Sequence, residues 1–79
     1  MKEEIIKQTA EALDDWFRER YAKTRETDAI IDPTVWATVL GVHPAVVIAA
    51  VVWLTAKGRL QRITRPGGRQ AYRWLPPTR

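Results

Sequence analysis

Cysteine, serine and asparagine are absent from this 79-residue chain. Without cysteine there is no disulfide and no thiolate metal site, and a reducing compartment costs the protein nothing. Without serine or cysteine the usual acyl-transfer nucleophiles are missing. Histidine occurs once, at His43, and a lone imidazole lacks the companion ligands that a metal centre needs. The adjacent acids Asp14 and Asp15 point about 100° apart on a helix, so they form no carboxylate pair and are assigned to a solvated face. Neither an enzyme nor a cofactor or small-molecule substrate is expected. Long apolar runs are missing too: residues 45–54, AVVIAAVVWL, cover half of what a bilayer crossing requires. The opening MKEEIIKQ carries two glutamates where a secretion signal needs an apolar stretch. A soluble cytoplasmic protein, away from membranes, is the expectation.

The last absence is one-sided. Residues 1–40 contain six Lys/Arg and nine Asp/Glu, a net of −3, whereas residues 41–79 contain seven Lys/Arg and no acid, a net of +7. An acid-free basic half is the footprint of a polyanion-binding surface.

What is present is short and regular. Residues 2–22 read as an amphipathic helix with Ile5, Ile6, Thr9, Ala10, Leu13, Trp16, Phe17 and Tyr21 on one side. That arc is wide enough to imply either a helix gripped from two sides or a partner for Trp16. A short strand is expected at residues 29–31. In DPT, Asp32 caps a second helix over 33–40, with Pro33 at its first position and Trp36, Val39 and Leu40 as its apolar members. Gly41 ends it, Pro44 opens a third helix over 44–57, and Gly58 stops that one. Residues 59–75 split into two strands about Pro-Gly-Gly, with Tyr72 and Trp74 sharing a face, and 76–79 form a tail. One domain, α+β but mainly α, follows.

The segment TVWATVLGVHPAVVIAAVVWLTAKGRL and the hairpin RITRPGGRQAYRWL carry a resemblance to winged helix-turn-helix domains of the MarR-type and related prokaryotic regulators. Ala37, Leu40-Gly41-Val42, His43-Pro44, Leu54 and Lys57-Gly58 match that family's pattern, over about half the chain. The resemblance implies a winged-helix fold and a small DNA-binding protein, a transcriptional or replication regulator. The basic hairpin would then contact double-stranded DNA through Lys57, Arg59, Arg62, Arg65, Arg69, Gln70 and Arg73. The same hairpin would also permit RNA binding.

The third helix departs from that pattern. Val47, Ala50, Val51 and Leu54 form an inward stripe, but the outer face holds Ala45, Val46, Ile48, Ala49, Val52, Trp53 and Ala56, where base readers carry polar groups. Three explanations compete: burial against the first helix or a second subunit, docking of a different protein, or entry into a groove with specificity from DNA shape. Burial in a homodimer, through Trp16, Ile48, Val52 and Trp53, is the expectation. Docking of another protein on the third helix is the alternative.

Overall fold

The computed structural model describes residues 2–77; Met1 and the last two residues of the expected tail lie outside them. The elements run α1 (Lys2–Thr24), β1 (Asp28–Ala29), α2 (Pro33–Leu40), α3 (Pro44–Ala56), β2 (Leu60–Thr64) and β3 (Gln70–Trp74). Over the described residues the fold is α+β and mainly helical, with three helices and a small antiparallel sheet of strand order β1-β3-β2.

Local chemistry sets the boundaries. α1 runs two residues beyond the expected end, to Thr24, and the next residue, Arg25, takes φ 62° and donates its N–H to the Tyr21 carbonyl. The Asp32 carboxylate accepts from the Thr34 N–H at 2.9 Å, and Pro33 opens α2. Gly41, at φ 70°, closes α2 in the left-handed conformation, and its N–H reaches the Ala37 carbonyl. His43 caps α3: its Nδ1 accepts from the Ala45 N–H at 3.0 Å, so the single histidine is a backbone partner. Lys57 is the C-cap of α3 rather than its last helical residue. α2 and α3 cross at 106°. Among the described residues no single helix is long and apolar enough to cross a membrane.

α1, α3 and the root of the hairpin enclose the core. Ala10, Leu13 and Phe17 from α1 meet Val47, Ala50, Val51 and Leu54 from α3, the stripe expected from the spacing, with Leu60 and Trp74 closing one end. Leu60 and Trp74 stand directly opposite in the β2–β3 register. Two expectations are corrected. β1 falls at Asp28–Ala29 instead of 29–31, because Asp28 and Ala29 pair with Arg73 and Tyr72 while Ile31 turns inward to the core. In α2 the buried residue is Ala37; Val39 is 70% exposed, because at two turns the helix can bury only one narrow edge.

Candidate nucleic-acid interface

The hairpin projects from the core on a turn that its sequence dictates. In Arg65-Pro66-Gly67-Gly68 the Gly68 N–H bonds the Arg65 carbonyl at 3.0 Å, proline holds the second position and Gly67 takes φ 89° at the third. That is a type II turn, which requires a positive φ where glycine stands. Gly68, at φ 81°, continues the reversal, and the Arg65 N–H closes the loop on the Arg69 carbonyl at 2.6 Å. Arg65 and Arg69 therefore flank the tip, both exposed.

Strand alternation distributes the rest. Arg62 and Gln70 share the sheet face of Tyr72 and Trp74, the side on which Tyr72 and the Ile48 and Val52 side chains of α3 line one depression. The Arg62 Nε donates to the Gln70 side-chain oxygen. At the base, the Lys57 ammonium sits 5.3 Å from the centre of the Trp53 ring. Among the described residues, Lys57, Arg62, Arg65 and Arg69 make no ion pair; Arg65 feels the Asp28 carboxylate only at longer range.

Two of the expected cations are engaged within the chain. Arg73 Nε bonds Asp28 Oδ1 at 2.8 Å across the β1–β3 pair. That hydrogen bond holds the Asp28 carboxyl below its ordinary value against the smaller opposing effect of burial, and it raises Arg73 in turn. Stability from this pair is therefore complete above the unfolded aspartate value of about 3.9 and is lost as pH falls through the lower folded value. Arg59 reaches Asp14 at 2.7 Å. The acid-free half of the sequence is thus not acid-free in space: the fold lays Asp14 and Asp28 of the acidic half beside its two inner arginines.

Asp14 is also the largest departure from the expected solvated face. It is only 7% exposed, and its carboxylate collects three donors. Oδ2 accepts from Arg59 at 2.7 Å and Arg18 at 2.9 Å, and Oδ1 accepts from the Trp74 indole N–H at 2.8 Å. One side chain on α1 therefore ties down the start of β2 and the end of β3. Asp15 remains exposed, paired with Arg18.

The four expected interface residues separate. Trp16 is 39% exposed and packs edge-on against Trp36 of α2 at 5.4 Å and Phe17 at 5.0 Å, so α1 is gripped from a second side by its own chain. Trp53 is half-buried between α1 and α3. Ile48 and Val52 stay 52% and 62% exposed, so α1 does not cover the outer face of α3. Among the described residues no three His, Cys, Asp or Glu side chains gather where a metal ion could sit. Comparison with protein-family models, curated proteins and solved structures finds no match to this chain.

Proposed function

We propose that the protein is a small winged-helix DNA-binding protein, regulatory in role, that grips the duplex backbone through its hairpin and takes no direct base code from α3. The observation that carries this reading is the set of cations on one hairpin and its base, Lys57, Arg62, Arg65 and Arg69, with no ion-pair partner among the described residues. Unpaired like charges on one element repel, and a polyanion relieves that repulsion by releasing its own counterions. The crossing of α2 and α3 at 106° through a three-residue turn fits the helix-turn-helix range of about 90–120°. The outermost residues of α3 offer no hydrogen bond to a base edge, so they support tolerance of sequence rather than direct readout. A second reading, a protein-interaction module, draws on the exposure of Ile48 and Val52.

Replacing Arg65 and Arg69 together by Ala tests the first reading. The log-log salt dependence of duplex binding should flatten by about 1.8, from about 0.9 per lost phosphate contact. The helical signal and melting temperature should hold, because both residues flank an exposed turn. A slope unchanged by the double substitution would remove the hairpin from the mechanism.

A further inference from the structure

α3 is apolar on every side except at Thr55, and its outer side includes one line of small residues. Ala45, Ala49, Val52 and Ala56 follow one another at intervals of four, three and four residues, and all are exposed or half-exposed. That spacing is the seam of a helix that packs along another helix at a shallow angle. Three of the four are alanines, which let a second helix axis approach to the short end of the usual range of about 8–10 Å. The inward stripe of Val47, Ala50, Val51 and Leu54 is a different set, already used by the core. α3 thus carries two packing edges, of which the chain fills one.

The empty edge lies in a groove with charged walls. One depression of about 620 Å³ joins Ala49, Val52 and Ala56 to the first turns of α1. A second, of about 330 Å³, continues it past Ala45, and Ile6 lines both. The groove follows α3 for roughly 16 Å, from Ala45 to Ala56 at about 1.5 Å per residue. Its charged lining is Lys2, Lys7 and Lys57 against one carboxylate, Glu3. We propose that this groove is a docking site for an acidic amphipathic helix of another protein, whose apolar seam lies on the alanine ridge and whose flanking carboxylates meet the three lysines. A second copy fits less well: its α3 carries no acid, and its own lysine rim would be brought against this one. The groove shares Lys57 with the base of the hairpin but none of the hairpin tip, so peptide binding can be tested apart from DNA binding.

The test uses the full chain and two synthetic helical peptides of about 14 residues. Both have leucines at the same seam spacing; one is flanked by glutamates and the other by lysines. The glutamate peptide should bind at least about tenfold more tightly than the lysine peptide. Lys7→Glu with Lys57→Glu, both at exposed positions, should reverse that order. Val52→Glu should weaken the glutamate peptide by at least about tenfold, since a charge would be driven into the seam. Arg65→Ala with Arg69→Ala should leave peptide binding unchanged, which separates this site from the hairpin. Equal affinity for the two peptides, or an order that the double reversal leaves intact, would overturn the proposal. So would sedimentation of the natural chain as a dimer that Val52→Glu dissociates, which would give the ridge to a second copy.

Discussion

Asp14→Leu should destabilise the protein by at least about 2 kcal/mol, because it strands one buried donor and removes the carboxylate shared by two partly exposed arginines. The carboxylate it removes is the acceptor for the buried Trp74 indole N–H and for Arg59, which lies at the mouth of the same site. Arg59 already has its Nε buried without a partner, so losing the Asp14 contact would leave only the solvent-facing part of its half-exposed guanidinium hydrogen-bonded. Leucine fills much of the space but accepts no hydrogen bond, and each unsatisfied buried donor costs about 1–3 kcal/mol. In a domain of this size the loss corresponds to a fall of at least about 8 °C in melting temperature. Asp14→Asn keeps an oxygen for the indole and should fall in between. Adding Trp74→Phe to Asp14→Leu should recover part of the loss, because the orphaned donor goes with its acceptor. Thermal and urea unfolding followed by circular dichroism measure all three. A loss below about 1 kcal/mol for Asp14→Leu would show that the network holds nothing together.

Replacing Gly67 and Gly68 together by Val should disorder the hairpin tip while the helical core stays folded. Both residues sit at positive φ, 89° and 81°, and a Cβ at either would meet no atom within 4 Å. The penalty is therefore backbone strain alone, about 1–2 kcal/mol per left-handed residue and more for a β-branched one. An exposed turn joined by a few ladder bonds cannot absorb that, whereas Leu60 and Trp74 clamp the root of the hairpin in the core. Asn tolerates the left-handed region better than other non-glycine residues, so Gly67→Asn with Gly68→Asn should keep much of the tip. Amide exchange is expected to accelerate in residues 63–71 of the valine variant, with α1 and α3 still protected. Duplex affinity should fall as Arg65 and Arg69 lose their fixed spacing. Unchanged protection at the tip would mean that the turn is not under the constraint its φ angles imply.

The contrast between these two sites shows how far the sequence could be read. The turn was legible because its determinants are adjacent: Pro-Gly-Gly between two β-forming stretches leaves few alternatives. The same holds for the Asp32 cap, the Gly41 stop and the inward stripe of α3, which depend on neighbours within about two turns of helix. Asp14 was not legible in the same way. Its partners Arg59 and Trp74 lie 45 and 60 residues away, and the Asp28–Arg73 pair also spans 45. The split of acids between the halves of the sequence therefore does not measure the free positive charge, because Arg59 and Arg73 of the expected interface pair with Asp14 and Asp28. One signal was available. Asp14 lies four residues after Ala10 and three before Phe17, on the edge of the apolar arc of α1, where a carboxylate needs a buried partner. For the outer face of α3, periodicity located the residues but could not say whether α1 would reach over them; the fold leaves Ile48 and Val52 uncovered.

Binding of the natural chain to several unrelated duplexes at a series of salt concentrations tests the central claim most directly. With Lys57, Arg62, Arg65 and Arg69 each meeting a phosphate, the slope of log affinity against log salt should lie near −3.6, at about −0.9 per contact. Affinities for the different sequences should agree within about tenfold, since α3 presents no groups that read base edges. A slope close to zero, or a single sequence preferred by more than about a thousandfold, would contradict a backbone grip through the hairpin.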